Sequence, residues 1–155
     1  MYVVIEQGRD PESLLEICRA YAREHGWRVA SEEFDTLLPD GTVPARRPGW
    51  SRTRGQVVEG WAHGLLTYAP PMFATGSDRY TDVELWAEHR RCFLAAAWQP
   101  GQGELVLDTA SGRIGVFMAR VGRAGVMLRP EGGGREWPTP LTALVPARFP
   151  AEAAL

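Results

Sequence analysis

The sequence has no lysine, no asparagine and only two cysteines among its 155 residues. Two cysteines are too few for a disulfide framework, and neither stands in a Cys-x-x-Cys or Cys/His spacing typical of a zinc site. Arginine supplies the whole basic charge, which indicates the codon bias of a GC-rich bacterial genome. The net charge is −2, so no overall positive field draws the chain to nucleic acid or to anionic lipid.

Long apolar runs are missing as well. No stretch reaches the roughly 18 residues that a membrane-spanning helix needs, and residues 1–10 lack the basic and apolar regions of a secretory signal. The sequence therefore predicts a cytoplasmic protein with no membrane partner. Its 45% hydrophobic and 23% charged residues are typical of a folded globular protein and exclude a disordered or collagen-like chain.

Strand and helix patterns alternate through the first hundred residues. The predicted elements are strands at 2–6, 27–34 and 64–68 and helices at 10–26, 51–59 and 82–98. Proline- and glycine-rich loops separate them at 37–49 and 69–80. This alternation predicts an α/β domain with a mostly parallel, three-layer arrangement.

Composition changes sharply at residues 99–103, Gln-Pro-Gly-Gln-Gly, which we interpret as a linker between domains 1–98 and 104–155. Beyond it, short apolar runs are separated by glycine turns. They lie at 104–108, 114–121, 125–128, 135–137 and 143–145. Five short strands in so few residues predict a small all-β, SH3-like barrel.

Several strings in the first domain occur in a distinctive order. They are Tyr2-Val3-Val4-Ile5-Glu6, Ala20-Tyr21-Ala22 before Gly26-Trp27, Phe34-Asp35, Arg47-Pro48-Gly49, and Gly60 before an apolar strand. In this order and spacing the chain resembles the catalytic domain of serine recombinases, the resolvases and invertases. The resemblance covers about residues 1–98 and implies a resolvase-like fold.

The catalytic positions that this resemblance implies are not kept. In the family, the first strand ends in Arg-Val-Ser, and the serine attacks a DNA phosphate while arginines neutralise the charge on its oxygens. Here the arginine position falls on Val4 and the serine position on Glu6. A carboxylate repels a phosphodiester and cannot replace the serine, so the resemblance argues against recombinase activity.

Other family positions give the same result. The Arg-Leu-x-Arg string that follows the third strand falls on Met72, Phe73 and Thr75, which removes two more arginines. Of the charged family positions, only Asp35 and Arg47 have matching residues. The small all-β domain stands where the family has a long dimer-forming helix. The resemblance therefore implies the fold without the chemistry.

The second domain also contains strings with a resemblance. They are Glu104-Leu105-Val106-Leu107-Asp108, Ser111-Gly112-Arg113-Ile114-Gly115-Val116, Leu128-Arg129-Pro130 and Gly132-Gly133-Gly134-Arg135-Glu136-Trp137. They resemble a small domain of many actinobacterial proteins of unknown function, and the Gly-Arg-x-Gly-Val string is similar to the turn of KOW-type SH3-like barrels. Such modules often bind RNA or ribosomal and transcription proteins, but no activity follows from this half.

Arginines are densest in the segment that joins the second predicted strand to the second helix. Arg46, Arg47, Arg52 and Arg54 surround Trp50, and together they combine positive charge with a ring that can stack. Solvated surface charge and a partly buried tryptophan are the alternative reading. On the functional reading, the protein is a non-catalytic binding or adaptor protein whose partner at these five residues is nucleic acid or another protein.

A small enzyme of unrelated chemistry is the alternative function. Glu6 and Asp35 stand at the ends of neighbouring predicted strands, where they would share a proton or a metal in a pocket. A third reading is a regulatory subunit that inhibits a true recombinase in mixed oligomers. We predict no cofactor and no metal site, since the three histidines are scattered, and no oligomeric state follows from the sequence. The glycine run at 132–134 predicts a tight turn rather than a phosphate-binding loop.

Overall fold

The computed structural model describes residues 1–39, 44, 46–74 and 79–148. Contacts between Cα atoms divide the chain into two units. The first is Met1–Tyr68 with Met72–Ala97, and the second is Ala69–Pro71 with Trp98–Leu155. No helix of the described ranges is long and apolar enough to cross a membrane.

Helices and short strands alternate in the first unit. In chain order the elements up to residue 97 are β1 (Tyr2–Ile5), α1 (Glu12–Glu24), β2 (Glu33–Thr36), α2 (Pro48–Val58), β3 (Gly64–Thr67), a 3-10 helix (Pro70–Ala74), α3 (Tyr80–His89) and β4 (Phe93–Ala96). The first two residues of the 3-10 helix belong to the second unit. β1 pairs with β2 and β3 with β4, and both pairs are parallel. In the described part of the chain these strands form two hydrogen-bonded pairs, so the mixed α/β character is confirmed while one continuous parallel sheet is not seen.

β1 forms the centre of the first unit. All four of its residues are buried, as expected for a short β-branched run in a parallel pair. Helix α1 packs against β1 and presents a buried stripe at helical spacing. The stripe consists of Leu14, Leu15, Cys18 and Ala22. The apolar pattern of the sequence therefore predicts both the strand and the buried face of the helix.

All three helices of the described ranges end in the same hydrogen-bond pattern. Past the end of each helix, one residue takes a left-handed backbone conformation, Gly26 after α1, Gly60 after α2 and Arg91 after α3. The next N–H then bonds back into the last turn, as the Cys92 N–H does to the Ala87 carbonyl at 2.9 Å. This is the Schellman arrangement, which normally uses glycine at the left-handed position.

Arg91 explains where the sequence prediction of the third helix is wrong. A helix is expected at 82–98, but α3 ends at His89 and β4 follows at Phe93–Ala96. The left-handed residue that stops the helix is an arginine with φ 52°, so the usual glycine signal is missing from the sequence. The apolar residues after it pair with β3 instead of continuing the helix.

Two other boundaries also differ from the prediction. The second strand is expected at 27–34, but β2 spans Glu33–Thr36. Its pairing begins where the Glu33 N–H bonds to the Met1 carbonyl, because β1 offers no residues opposite the earlier segment. Helix α2 begins at Pro48 rather than Ser51, since proline suits the first helical position.

Five antiparallel strands build the second unit. They are β5 (Leu105–Asp108), β6 (Arg113–Val121), β7 (Gly125–Arg129), β8 (Trp137–Pro140) and β9 (Leu144–Pro146), in the order β8-β7-β6-β5-β9. Their core consists of Val106, Phe117, Val126, Leu128 and Leu144. Four strands overlap the predicted runs over two or more residues, whereas β8 shares only Trp137 with the run predicted at 135–137. The predicted SH3-like barrel is not seen, because the sheet is open among the described residues, with β8 and β9 as its edges.

We expect Arg91→Gly to raise the free energy of unfolding by about 0.5–1 kcal/mol. Glycine removes the steric cost of the left-handed conformation, which exceeds the entropy that glycine adds to the unfolded chain. Urea denaturation followed by circular dichroism measures the change. Arg90→Gly is the matched control: φ at Arg90 is −93°, so this variant should lose about 0.5–1 kcal/mol. Equal losses in both variants would contradict the left-handed assignment.

Candidate functional site

A buried polar chain lies at the start of the first unit. The Tyr2 hydroxyl donates to Asp35 Oδ2 at 2.9 Å and accepts from Arg47 Nη2 at 3.0 Å and Nε at 3.2 Å. Tyr2, Asp35 and Arg47 are all buried. Burial raises the pKa of Tyr2, and the Arg47 cation offsets only part of that rise. The hydroxyl therefore stays protonated and connects the anion to the cation.

The Asp35 carboxylate also holds the beginning of α2. The Gly49 N–H donates to Oδ1 and the Trp50 N–H to Oδ2, each at 2.9 Å. These N–H groups have no partner inside the helix, and a carboxylate at a helix N-terminus is favoured by the helix dipole. Gly49 permits the close approach, because a Cβ there would overlap the Phe34 carbonyl oxygen. The buried Asp35 carboxylate thus joins β1 and β2 to the start of α2.

Arg47 and Trp50 face the interior. The Arg47 guanidinium donates to the Met72 carbonyl at 3.1 Å and lies 5.3 Å from the centre of the Tyr2 ring and 5.2 Å from that of Trp50. Trp50 also packs on Phe73, with 5.8 Å between ring centres. Sequence reasoning puts Arg47 and Trp50 on a binding surface, whereas the structure buries both. The cause is the buried Asp35 carboxylate, which accepts hydrogen bonds from the Gly49 and Trp50 N–H groups and so holds this segment against the core.

The other three arginines of the predicted cluster have different surroundings. Arg46 is exposed, and Arg52 Nε pairs with Glu33 Oε2 at 2.8 Å. The Arg54 guanidinium lies 4.6 Å from the ring centre of Trp86. Residues two apart on a helix are separated by about 200° around its axis, so Arg52 and Arg54 leave α2 on different sides. The structure does not bring the five predicted residues to one surface.

Glu6 and Asp35 also lie in different surroundings. The Glu6 side chain is 57% exposed and lies 3.5 Å from Arg9, whereas Asp35 is 5% exposed and engaged in the contacts described above. The structure therefore places the two acids of the predicted pocket in different surroundings.

Two positions that carry arginines in the recombinase resemblance are apolar and buried here. Val4 lies inside β1, and Met72 lies in the 3-10 helix that follows β3, next to Phe73 at the family's leucine position. The remaining position, Thr75, falls outside the described residues. These side chains fill the core of the first unit and offer no charge to a phosphate.

The cysteines and two of the histidines lie in surroundings that do not activate them for catalysis. Burial raises the pKa of the Cys18 thiol to about 12 and also raises the pKa of Cys92, so neither thiol is activated. The Nδ1 atoms of His25 and His89 lie 2.8 Å and 2.7 Å from helix carbonyl oxygens. Across residues 1–39, 44, 46–74 and 79–148, no group of three or more His, Cys, Asp or Glu residues is placed to hold a metal ion.

A second polar cluster, which sequence reasoning misses, surrounds Asp108 in the second unit. Its carboxylate accepts hydrogen bonds from Ser111 Oγ at 2.7 Å, Trp137 Nε1 at 3.0 Å, Thr139 Oγ1 at 3.0 Å and the Ala110 N–H at 3.0 Å. Burial alone would raise the pKa of Asp108, but these hydrogen bonds hold it below its usual value. The Asp-Thr-Ala-Ser-Gly string is a turn signal that indicates the local bonds but not those to β8.

Trp137 is therefore a structural residue of the sheet. Its ring carries the Arg113 guanidinium at 3.7 Å from the ring centre, and a Cβ at Gly115 would overlap the ring. In the glycine run, the Gly133 N–H bonds to the Pro130 carbonyl at 2.9 Å, and Gly133 and Gly134 both have positive φ. This is the tight turn that the sequence predicts.

Comparison with solved structures shows what the fold is similar to. The chain matches the crystal structure of the C-terminal catalytic domain of ISC1926 TnpA, an IS607-like serine recombinase, with a TM-score of 0.50 and 14% identity. The match covers 63% of this chain and 68% of that one. At this identity the likeness shows a recombinase-like fold and nothing more.

A second solved structure is the first open reading frame of transposon ISC1904 from Sulfolobus solfataricus. It has a TM-score of 0.43 and 12% identity, and the match covers 65% of this chain and 69% of that one. No protein-family model and no curated protein matches the chain.

Removing the Asp35 carboxylate should cost much more than removing an exposed helix cap. We expect Asp35→Ala to lower the free energy of unfolding by about 3–5 kcal/mol, because it removes the acceptor of three buried donors, the Tyr2 hydroxyl and the Gly49 and Trp50 N–H groups. The matched control is Asp10→Ala, since the Asp10 carboxylate accepts the Glu12 N–H at 3.0 Å at the exposed start of α1. That change should cost about 1 kcal/mol. Equal losses in urea denaturation would contradict the role of Asp35.

The stability of the second unit should depend on pH through Asp108. The folded pKa lies below the unfolded value of about 3.9, so the carboxylate stabilises the unit above that pH. This contribution is lost as the pH falls through the lowered folded pKa. Asp108→Asn should cost about 2 kcal/mol at neutral pH and less in acid. Urea titrations followed by the Trp137 indole N–H signal measure the difference, and a pH-independent difference would contradict this account.

Proposed function

We propose that this protein is a non-catalytic binding protein, built on a recombinase-like fold that has lost strand-transfer chemistry. The observation that carries the proposal is the residue at the position of the nucleophilic serine. That position is Glu6, whose carboxylate lies at the surface beside Arg9. A carboxylate there has no hydroxyl to attack a phosphate, and its charge repels the DNA backbone.

The two charged family positions that are kept support the same proposal. Asp35 uses both carboxylate oxygens to hold Tyr2 and the first N–H groups of α2, and Arg47 is buried on Tyr2 and Met72. A residue engaged in this way is not available to bind a phosphate without breaking the fold. In this account, selection for the fold keeps Asp35 and Arg47 after the chemistry is gone.

The alternative of an enzyme that uses Glu6 and Asp35 gains no support from this arrangement. A shared proton or metal needs two carboxylates within a few ångströms of each other and of a substrate. Asp35 is enclosed by its hydrogen-bond donors, and Glu6 is largely exposed. We therefore do not propose a catalytic role for this pair.

For the partner we propose nucleic acid, contacted by exposed parts of the arginine segment. Arg46 is exposed, Arg52 reaches solvent beside Glu33, and the Arg54 guanidinium is held on Trp86. Phosphate groups can compete with the single Glu33 carboxylate for Arg52, since exposed ion pairs contribute little stability. Arg47 and Trp50 belong to this segment as buried supports and not as contacts.

The second unit is part of the proposal as an independent module. Five antiparallel strands and a core of its own support the assignment of residues 104–155 to a small SH3-like domain behind the linker 99–103. It adds six arginines to the chain and carries its own exposed positive charge. A control for the arginine segment can therefore be built within the same protein.

Fluorescence anisotropy of labelled duplex DNA, single-stranded DNA and RNA, at two salt concentrations, tests this function. We expect binding that weakens with salt. In the triple variant Arg46→Ala, Arg52→Ala, Arg54→Ala, the slope of log affinity against log salt should fall by about 1–2. Each lost phosphate contact removes about one unit or slightly less, and Arg52 and Arg54 lie on different sides of α2, so that they do not both contact one backbone.

The control is Arg120→Ala, Arg123→Ala, Arg148→Ala, which removes the same charge from exposed residues of the second unit. It should leave most of the affinity and slope in place. Equal losses in the two variants would contradict a site at the arginine segment. Absence of binding to all three nucleic acids at low salt would contradict nucleic acid as the partner, and pull-down with protein partners would then replace it.

A further inference from the structure

The first unit contains a cavity of about 400 Å³ that the proposed function does not use. It lies where β3 and β4 begin and where the segment between α1 and β2 passes, so it is at the amino ends of these strands. Its volume is within the range of small-molecule sites, which is roughly 300–1,000 Å³. The arginine segment of the proposed function follows the carboxyl end of β2. Its residue Thr53 lines the cavity, whereas Arg46, Arg52 and Arg54 do not.

Aromatic rings form one continuous contact series that reaches the cavity. Tyr21 stacks on His25 with 4.1 Å between ring centres, His25 lies 4.9 Å from Trp27, and Trp27 lies 4.7 Å from Phe93. Trp27 and Phe93 line the cavity. A Cβ at Gly64 would overlap the Phe93 ring, so the glycine lets this ring lie directly on β3. The series holds the last two rings in place before any ligand arrives.

Trp61 adds an aromatic ring that the described residues leave largely uncovered. It also lines the cavity, yet it is 72% exposed, and Phe93 is 46% exposed. Exposing an indole to water is costly, and such residues are enriched at binding sites. A flat aromatic ligand in the cavity would cover both rings by stacking.

Polar groups of the cavity wall lack partners as well. Arg28, Val29 and Ala30 line the cavity, and their main-chain groups form no hydrogen bond among the described residues. The described lining residues include Arg28 and His63 but no Asp or Glu. The wall thus offers N–H and C=O groups to the edge of a ring, and its only ionisable side chains are basic.

We propose that this cavity binds a flat aromatic anion of about nucleotide size. The ring stacks on the exposed faces of Trp61 and Phe93, and the main-chain groups of residues 28–30 bond to its edge. Arg28, with no acidic side chain among the described lining residues, selects the negative charge. Mononucleotides and aromatic carboxylates both combine a flat aromatic ring with a negative charge, and the test below distinguishes these two ligand classes.

Titration of the ¹⁵N-labelled full chain with adenosine 5′-monophosphate, 2-naphthoate and neutral adenosine tests the site. At least one of the two anions should shift the indole N–H signals of Trp27 and Trp61 and leave that of Trp137 unchanged. Adenosine should bind more weakly than the monophosphate. Shifts with the monophosphate alone identify a nucleotide site, and shifts with naphthoate alone identify an aromatic carboxylate site.

Trp61→Ala should weaken binding of the anion at least about fivefold, which is the lower range for loss of one stacked ring. The matched control is Phe34→Ala, because Phe34 is also exposed but does not line the cavity, and it should leave binding unchanged. The proposal is overturned if neither anion shifts the Trp27 and Trp61 signals at millimolar concentration, or if Trp61→Ala and Phe34→Ala bind alike. Adenosine binding as tightly as the monophosphate would overturn the preference for an anion.

Discussion

The packing of the first unit depends on a buried carboxylate, that of Asp35. Asp35 is 5% exposed and accepts three hydrogen bonds, from a tyrosine hydroxyl on β1 and from two main-chain N–H groups at the start of α2. A buried carboxylate is costly unless its oxygens are bonded and its charge is balanced. The Tyr2 hydroxyl lies between the Asp35 carboxylate and the Arg47 guanidinium, which donates to Tyr2 and to the Met72 carbonyl. A single charge therefore ties together β1, β2, α2 and the 3-10 helix.

Under the proposed function, this constraint gives a physical reason why the fold is kept without strand-transfer chemistry. Two arginine positions of the recombinase resemblance hold Val4 and Met72, which pack into the core. The charged positions that remain, Asp35 and Arg47, are buried and take part in the packing. The likeness to a serine recombinase catalytic domain shows the fold. The proposed nucleic-acid contacts and the aromatic cavity lie outside this buried network.

Much of the fold follows from local patterns, because apolar periodicity and turn residues act over a few positions. β1, α1 and the five strands of the second unit are predicted in this way. The end of α3 is not, since Arg91 occupies a left-handed position that glycine normally marks. The site was harder to predict. The sequence shows a cluster of arginines, but it does not show that Asp35, 15 residues before Trp50, bonds to the start of α2, where Arg47 and Trp50 are buried. Long-range hydrogen bonds of this kind leave no signal in spacing.

Amide hydrogen exchange at Gly49 and Trp50 tests the central claim most directly. These two N–H groups bond only to the buried Asp35 carboxylate, whereas the N–H groups at the start of an ordinary helix face water. If Asp35 organises the unit, both amides should exchange as slowly as those of β1, through opening of the whole unit. Exchange as fast as at the exposed start of α1 would contradict the account, because the carboxylate would then be no part of what holds the fold together.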